Sequence, residues 1–547
     1  MSRILALGAF LALFLAPAVS FAAPATEKSN GPTVMLRVQS VEKLLDNAEY
    51  IAALAGQEEL AKQFIGFVRA LTDDKKGIEG IDIKKPFALY ANLAPEILNS
   101  EVILMIPIAD KDAFIDLLKT RLALEIKEDK GLYSTEAPNN AGAVYFRFAN
   151  DYVYGTFLNK DNVDLKKLPK PADVVGKGES VLSLNVRIDR VPEEMKKFAL
   201  GAIEEKLQEG KKQPLPNETP SIKTVKEAVI DSLAGGLKSI LTDGEEITIK
   251  LDVDAKKDEL ALEFNMTAKK GSELAKDFAG LKTKKSVSFG SLAARNSALM
   301  LAVNVSLPPS VKKAMGPAID ELVKLGLGMA PEEIAKLIDP LVKSLVPTFK
   351  AGDLDAGVVL LGPDAENKYT AVVAAKIVKG KDVEKSVKEV LKSVPAEISQ
   401  VFDLDADTAG EHKLHAVRVK GFLDDNAKKL FGESDIWLAF RDDAVLISFG
   451  PKGKDALKEA LKAAPATGSL AKIEVSVSRL IALADLQAGK DGKAAKKAAE
   501  KVFGKNPNGG DTVVLTVDGG ESLRIRAALK GKVIKFIVEA DKAKGDN

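Results

Sequence analysis

Short runs of alternating apolar and polar residues recur along this chain, and several lead into stretches with helical spacing. Residues 33–38 and 101–108 are short runs rich in apolar residues, which is typical of strands. Residues 42–71 and 112–122 repeat their apolar side chains every three or four positions, which predicts helices. Asp110 stands just before the second helix and is expected to cap its N-terminus. The pattern predicts an α+β protein.

One pair of alternating runs, hinged at a polar turn, occurs twice. Residues 436–449 (IWLAFRDDAVLISF) align without a gap with residues 144–157 (VYFRFANDYVYGTF), and Trp437 matches Tyr145. The earlier turn is Asn150-Asp151, and both residue types tolerate positive φ better than most. We interpret these runs as the central hairpin of each half of the chain, a structural feature rather than a site.

The other elements also recur in the same order. VMLRV returns as LAVNV, SLNV as EVSV, and LDVDAKKDELAL as LTVDGGESLRI. This order predicts a tandem duplication with domains at residues 31–288 and 298–540. Strands joined mainly by hairpins favour curved, mainly antiparallel sheets, covered on one face by helices. The Pro-, Lys- and Gly-rich residues 161–178 are expected to be a linker.

The first 22 residues have the pattern of a secretory signal peptide. Arg3 supplies the positive charge, residues 4–15 are apolar, and Ser20-Phe21-Ala22 permits cleavage after Ala22. The apolar run is too short to span a bilayer, and no later stretch is long and apolar enough to do so. We expect an exported protein, periplasmic or extracellular, with no transmembrane segment after signal removal.

Composition excludes several classes of chemistry. The chain has no cysteine, which removes thiol catalysis, iron–sulfur clusters and cysteine zinc sites. Its 79 Lys and Arg balance 78 Asp and Glu, so there is no overall field to attract a nucleic-acid backbone. Nucleic acid is therefore not an expected partner.

His412 and His415 are the two histidines of the chain. The residues from 415 to 419 alternate as in a strand, and strand residues three apart point to opposite faces. The two rings are therefore not expected to converge on a metal ion. No G-x-S-x-G elbow is present to pair with either ring.

Two aspartate ladders resemble calcium loops but depart from the ligand pattern. In Asp403-Leu-Asp405-Ala-Asp407, threonine takes the place of the required glycine and leucine that of the final glutamate. The ladder that begins at Asp252 ends correctly on Glu263, but lysines fill its fifth and sixth positions. The second ladder is interpreted as a hairpin turn, because its counterpart in the other half is VDGGES.

Other partial motifs do not indicate a catalytic or nucleotide-binding site. Ser-x-x-Lys occurs at Ser40 and Ser310, in a chain so rich in lysine that this spacing is expected by chance. Gly326-Leu-Gly328 lacks the third glycine of a dinucleotide loop, and residues 450–455 (GPKGKD) lack the spacing of a P-loop. A hydrolase that uses carboxylates or a Ser–Lys pair stays an alternative hypothesis.

Two apolar stretches leave two interpretations open. Residues 311–346 are rich in Leu, Val, Ile and Met, and residues 490–503 place alanines, Val502 and Phe503 on one helical face with lysines opposite. Such stretches either cover a sheet or form a wall against a lipid-like ligand or a membrane surface. Ordinary sheet-covering helices are favoured.

The whole pattern resembles exported bacterial proteins without an assigned activity that are built from tandem α+β repeats. The VMLRV strand with its helix, the VILMIPIADKDAFIDLL strand–helix and the VYFRFANDYVYGTF hairpin carry the resemblance. It implies export and provides no functional residues.

The expected function is binding without catalysis. The sequence favours an interaction protein of the bacterial cell envelope whose partner is a hydrophobic small molecule or another envelope protein. A structural or assembly component is a second hypothesis. No catalytic residue, cofactor or metal ligand is assigned.

Overall fold

A computed structural model describes residues 32–545, except 60–61, 64–65, 67–77, 97–98, 138–141, 158, 177, 217, 283–284, 293–296, 420, 485–489 and 505–508. The predicted signal peptide therefore lies outside the described residues. The chain forms two compact units, residues 1–200 with 241–269 and residues 201–240 with 270–547. These are not two continuous ranges, and the predicted domain boundaries stay a prediction.

The first unit contains an antiparallel sheet. Its strands are β1 (Val34–Val38), β2 (Phe87–Asn92), β3 (Glu101–Pro107), β4 (Lys127–Asp129), β5 (Leu132–Glu136), β6 (Ala143–Ala149), β7 (Tyr152–Phe157), β8 (Leu182–Arg187), β9 (Gly244–Asp254) and β10 (Glu259–Ala268). Their order across the sheet is β10-β9-β8-β1-β2-β3-β7-β6-β5-β4. Every pairing is antiparallel, which confirms the predicted fold class.

The helices that begin in or near this unit are α1 (Val41–Ala55), α2 (Lys111–Asp116), α3 (Pro171–Val175), α4 (Glu193–Lys212) and α5 (Pro220–Asp243). A π-helical turn (Leu117–Arg121) extends α2, and short 3-10 helices occupy Lys160–Val163 and Ile188–Arg190. Asp110 accepts a hydrogen bond from the Ala113 N–H at 2.9 Å, so the predicted cap of α2 is confirmed. The division between the units falls inside α4 and α5.

The predicted linker at residues 161–178 is wrong. Val163, Val174 and Val175 from this stretch are buried in one core of the first unit, against Tyr90 and Tyr154 of the sheet. The Tyr154 hydroxyl also donates to the Pro169 carbonyl at 2.7 Å. Prolines and glycines marked loops here, but the apolar residues between them dock on the sheet.

The second unit contains a sheet with the same strand order. Its strands are β12 (Ser297–Ser306), β13 (Asp353–Leu361), β14 (Thr370–Lys376), β15 (Phe402–Ala409), β16 (His412–Val417), β17 (Ile436–Phe440), β18 (Ala444–Phe449), β20 (Ala471–Ser476), β21 (Thr512–Asp518) and β22 (Ser522–Lys530), while β11 (Lys285–Ser286) and β19 (Ala466–Thr467) pair separately. The order is β22-β21-β20-β12-β13-β14-β18-β17-β16-β15. Matched in chain order, the two sheets have identical topology. This match supports the predicted tandem duplication, which stays a prediction.

The helices of the second unit beyond α5 complete the described chain. They are α6 (Glu273–Lys282), α7 (Val287–Ser291), α8 (Pro309–Met329), α9 (Glu332–Ala351), α10 (Gly380–Ser393), α11 (Ala396–Ser399), α12 (Asp425–Phe431), α13 (Gly453–Lys462), α14 (Val477–Ala484), α15 (Lys490–Phe503) and α16 (Gly531–Gly545).

Helices pack on both faces of the second sheet around β14, β17 and β18, which corrects the expected one-sided cover. One core joins Leu446 and Ala439 to Leu457 of α13 and Phe289 of α7. On the opposite face, Phe440 packs with Val383 of α10, and Leu341 and Leu345 of α9 lie against the same core. Both faces of these strands are apolar, so each face needs its own cover.

The two central hairpins lie at matching places in the two sheets but differ in their turns. Asn150 and Asp151 both have positive φ, 51° and 60°, as a two-residue turn with mirror-image geometry requires. No positive φ occurs at Asp442 or Asp443. Their carbonyls accept hydrogen bonds from the Gly380 and Ile377 N–H groups, at 2.8 and 3.1 Å. These hydrogen bonds from neighbouring backbone thus stabilise the conformation of the second turn.

Candidate functional site

A continuous apolar surface covers one face of β2, β1, β8, β9 and β10 in the first unit. Residues directly opposite each other in antiparallel strands share a face, so the register identifies the members. We call this surface the first apolar face, and it consists of Val34, Leu36, Val38, Phe87, Leu89, Ala91, Leu182, Leu184, Val186, Ile247, Ile249, Leu251, Val253, Leu260, Leu262, Phe264 and Met266.

Burial on this face is unusually low. Met266 is buried, but the other members are partly or well exposed, and Leu262 retains 54% of its accessible surface. The reverse face of β8, β9 and β10 carries polar groups: Asn185 donates to Thr248 Oγ1 at 3.1 Å, and Lys250 lies 3.7 Å from Glu263. On β2 the reverse face is covered, because Ala88 and Tyr90 are buried in a core there. In most half-buried sheets the apolar face is the covered one. The exposed apolar face is therefore a candidate binding surface.

The second unit repeats this arrangement on β13, β12, β20, β21 and β22. The second apolar face consists of Leu299, Leu301, Val303, Val305, Leu354, Ala356, Val358, Leu360, Ala471, Ile473, Val475, Val513, Leu515, Val517, Ile525, Ala527 and Leu529. None of its members is buried, and Ile473 retains 39% of its accessible surface. The reverse face again carries polar groups, including the Lys472–Glu474 ion pair at 2.7 Å.

The same faces are well covered at the other half of each sheet. In the first unit, Ile106, Phe146 and Val153 are buried beneath Phe114 of α2, with Tyr133 stacked on Phe146 at 5.2 Å between ring centroids. In the second unit, Phe440 and Val445 are covered by α10 and α9. The low burial of the apolar faces is therefore concentrated in β2, β1, β8, β9 and β10 of the first unit and in β13, β12, β20, β21 and β22 of the second.

The two apolar helical stretches singled out in the sequence have different environments. In α15, Ala494, Ala498, Ala499 and Phe503 are buried, and the Phe503 ring lies 5.4 Å from Phe536 of α16. The α15 face is therefore ordinary packing. In α8 and α9, by contrast, Leu322, Leu325, Met329 and Ile334 are exposed.

His412 and His415 lie three residues apart on β16, so their side chains leave opposite faces of the sheet, as the alternation predicts. His415 is buried and His412 is not. The pair does not converge.

His415 nevertheless belongs to a cluster that the sequence did not reveal. Its ligand atoms and those of Glu384 and Asp405 all lie within 4.8 Å of one another. The Asp405 N–H donates to His415 Nδ1 at 3.1 Å, which places the ring proton on Nε2, 3.2 Å from Glu384 Oε1. Burial lowers the pKa of His415, and the Glu384 carboxylate offsets only part of that effect.

This geometry favours a closed ion-pair network over a metal site. The Lys388 ammonium lies 2.8 Å from both Glu384 and Asp405, in the position that a cation would occupy. A metal on His415 Nε2 would move the ring proton to Nδ1, against the Asp405 N–H that now donates to it. The three residues lie on α10, β15 and β16, and no spacing in the sequence connects them.

The aspartate ladders do not converge either. Asp403 pairs with Arg418 at 2.8 Å, Asp405 with Lys388, and Asp407 with Lys458 at 2.9 Å. A register irregularity between Asp403 and Asp407, with positive φ at Asp405, directs these side chains apart. In the other ladder, Asp254 accepts from the N–H groups of Lys256 and Lys257, as a hairpin turn does.

The remaining motif fragments have structural roles where the described chain contains them. Ser40 caps α1 and accepts from the Lys43 backbone N–H at 3.0 Å, so the serine is not directed at the lysine amine. Ser310 and Lys313 lie in the first turns of α8, and Gly326 and Gly328 lie inside that helix. In residues 450–455, Lys454 lies over the Trp437 ring at 5.3 Å and pairs with Asp407.

Comparison with known proteins adds no information: no family model, no curated protein and no solved structure matches the chain. Among the described helices, none combines the length and apolar content needed to cross a membrane.

Proposed function

We propose that this protein is an exported, non-catalytic binding protein, and that the apolar face of each of its two sheets is a binding surface for a lipid-like molecule. The observation that carries the proposal is the second apolar face, where every side chain is apolar and none is buried. Apolar surface that stays in water contributes nothing to the stability of the fold. Large exposed apolar patches on proteins therefore mark binding sites.

Dimensions favour a small apolar ligand over a protein partner. Each of the 17 side chains on a face occupies roughly 4.8 Å between strands by 6.6 Å along a strand, so each face covers about 500 Å². A standard protein interface takes about 800 Å² from each partner. Binding pockets for small molecules are mainly apolar with a few polar groups, which fits a long alkyl chain with its polar end at the rim.

The uniformly apolar composition of both faces also favours a small apolar ligand over a protein partner. A protein interface alternates apolar patches with hydrogen-bonding groups. Side-chain hydrogen-bonding groups are missing from both apolar faces, and the backbone groups of the inner strands are used by the sheet. An alkyl chain needs no such groups.

The proposal can be tested with N-phenyl-1-naphthylamine, a fluorescent probe of apolar sites, displaced by palmitate. The decisive variant is Leu262→Ser, and the matched control is Glu263→Ser, which changes the neighbouring residue on the reverse face. Loss of the half-exposed leucine removes roughly 1 kcal/mol of apolar contact, so probe affinity should fall about fivefold.

The second unit offers the same test. Ile473→Ser should weaken probe binding and Glu474→Ser should not. Absence of any fluorescence enhancement in the unmodified protein would count against the proposal, as would equal effects of the two variants on one strand.

A further inference from the structure

Arg37 is a buried arginine of the first unit whose charge has no counter-ion. It lies on β1 on the reverse face of the sheet and retains 6% of its accessible surface. Its Nη1 donates to the Ser180 carbonyl at 3.4 Å, beyond the usual limit of about 3.2 Å, and its Nε is buried with no acceptor. Among the described residues, no acidic side chain pairs with it.

A guanidinium in this environment opposes folding. Removing a cation from water is unfavourable unless an anion or several hydrogen bonds replace the water. Burial lowers the pKa of Arg37, and the nearby Tyr152 hydroxyl offsets part of that effect. Because arginine nevertheless stays charged in proteins, an anion is the partner that this environment favours.

The register of the sheet places a second cation close to Arg37. Arg37 lies opposite Ser183 of β8, and Ser183 lies opposite Lys250 of β9. Residues directly opposite each other share a face, so all three side chains leave the reverse face. Strands lie about 4.8 Å apart, which puts the Cα atoms of Arg37 and Lys250 roughly 10 Å apart with Ser183 between them. We call these three residues the reverse-face cluster.

The cluster is buried at one end and open to solvent at the other. Ser183 retains 8% of its accessible surface, whereas the side chain of Lys250 retains 39%. The Lys250 ammonium lies 3.7 Å from Glu263 of β10, which is too long for a hydrogen bond. Lys250 can therefore turn toward Ser183 without breaking one. A small anion has access from the Lys250 side and meets a desolvated cation at the inner end.

We propose that the reverse-face cluster binds a phosphate group, held by the Arg37 guanidinium, the Ser183 hydroxyl and the Lys250 ammonium. Arginine matches paired phosphate oxygens and lysine binds phosphate as a point charge. Donors from three neighbouring strands can contact several oxygens of a tetrahedral anion, whereas a carboxylate offers two. The cluster lies across the sheet from the first apolar face, so this inference does not depend on lipid binding there.

Isothermal titration calorimetry of the purified full chain with inorganic phosphate, in Tris buffer of low ionic strength, tests the proposal. Asn304 takes the place of Arg37 in the aligned LAVNV run, so we expect one phosphate per chain. Acetate should bind at least about tenfold more weakly. A parallel titration with glycerol 3-phosphate distinguishes two sources of the group. Tighter binding than inorganic phosphate would identify a phosphate ester, and weaker binding the free anion.

Arg37→Met separates binding from a structural role, because methionine keeps an apolar stem and removes the charge. This variant should lose phosphate binding. Without phosphate, its temperature of unfolding should rise, since an apolar group replaces a buried, unpaired cation. An arginine that only stabilises the fold would give a lower temperature of unfolding.

Lys250 provides variants at a partly exposed position. Lys250→Gln should weaken phosphate binding about fivefold. The matched control is Lys472→Gln on the reverse face of the second sheet, where the lysine pairs with Glu474, and it should leave binding unchanged. Glu263→Gln should strengthen binding about twofold to threefold, because the Lys250 ammonium loses its competing carboxylate.

Four outcomes would overturn the proposal. These are no heat of binding at millimolar phosphate, acetate binding as tight as that of phosphate, equal effects of Lys250→Gln and Lys472→Gln, and an Arg37→Met variant that unfolds at a lower temperature or fails to fold. The lysine variants keep the test decisive in that last case, because neither substitution changes a buried residue.

Discussion

At the scale of single residues, His415 is the clearest case of a buried polar group that is held by several partners at once. Its Nδ1 accepts from Asp405, its Nε2 proton faces Glu384, and Lys388 closes the network from α10. The Phe440 ring lies 6.2 Å away and helps exclude water. The neutral imidazole is therefore the form that fits this site.

This environment predicts a pH dependence of stability. Because the native pKa of His415 lies below the unfolded value of about 6.5, unfolded chains bind more protons than native chains between those two values. The free energy of unfolding should thus fall as the pH drops from about 6.5 toward the native pKa, by up to about 1.4 kcal/mol per pH unit. Urea denaturation from pH 8 to pH 5 measures it.

Two histidine variants assign that effect. Glutamine at position 415 keeps one donor and one acceptor but cannot titrate, so His415→Gln should lose this part of the pH dependence. His412→Gln should keep it. If both variants retained the full slope, the assignment to His415 would be wrong.

Asp355 gives a second residue-scale prediction. Its buried carboxylate accepts from both Ser286 and Ser288 hydroxyls at 2.7 Å and from the Val287 and Ser288 N–H groups. In Asp355→Asn, an amide NH2 group replaces one carboxylate oxygen and faces the hydroxyl and N–H donors. We expect a loss of about 3 kcal/mol in the free energy of unfolding. The exposed Asp442→Asn should change it by less than about 0.5 kcal/mol. Comparable losses would contradict the role given to Asp355.

At the scale of elements, close contacts determine where helices begin. The Gly380 N–H donates to the Asp442 carbonyl, and a Cβ at Gly380 would lie 1.9 Å from the Arg441 carbonyl oxygen. The start of α10 is thereby fixed against the turn of the central hairpin. Only glycine leaves room for that approach.

Gly380→Ala should therefore be costly, with a loss of at least about 2 kcal/mol in thermal or urea unfolding, because backbone must shift to relieve the overlap. The matched change is Gly235→Ala within α5, where a Cβ would meet nothing within 4 Å. That helix should gain up to about 1 kcal/mol. A tolerated Gly380→Ala would show that the hairpin and α10 do not meet as described.

Many of the strands and helix starts could be predicted from the sequence. Short apolar runs predicted β1 and β3, alternating runs predicted the hairpin strands, and Asp110 predicted the start of α2. Val163, Val174 and Val175 were missed because their docking on Tyr90 and Tyr154 is tertiary and leaves no periodic trace in a short, proline-rich stretch. Glu384, Asp405 and His415 were missed because three separate elements bring them together.

Only part of the description of the exposed apolar faces could be predicted from the sequence. Alternation in residues such as Val34, Leu36 and Val38 indicates strands with one apolar face. Whether helices bury that face depends on packing between distant elements, which alternation does not encode. The sequence favoured ordinary cover by helices, and the low burial of the two apolar faces is a result of the structure.

At the scale of the whole molecule, two sheets of identical strand order each carry an apolar face with matching positions. Leu36 of β1 and Leu301 of β12 lie in the middle of the corresponding ladders, opposite Leu184 of β8 and Ile473 of β20. We interpret this as a duplicated binding element. The proposed export predicts a mature protein that begins at Ala23, which N-terminal sequencing of the secreted product checks. A first residue of Met1 would contradict export by this route.

The central claim is that the apolar faces hold a lipid-like molecule. The most direct measurement is mass spectrometry of the solvent extract of protein purified without detergent from the cells that naturally make it. The account predicts an alkyl-chain lipid near stoichiometric amount, strongly reduced in the Leu262→Ser, Ile473→Ser double variant and unchanged in the Glu263→Ser, Glu474→Ser double control. An extract free of lipid, or equal lipid in both double variants, would contradict it.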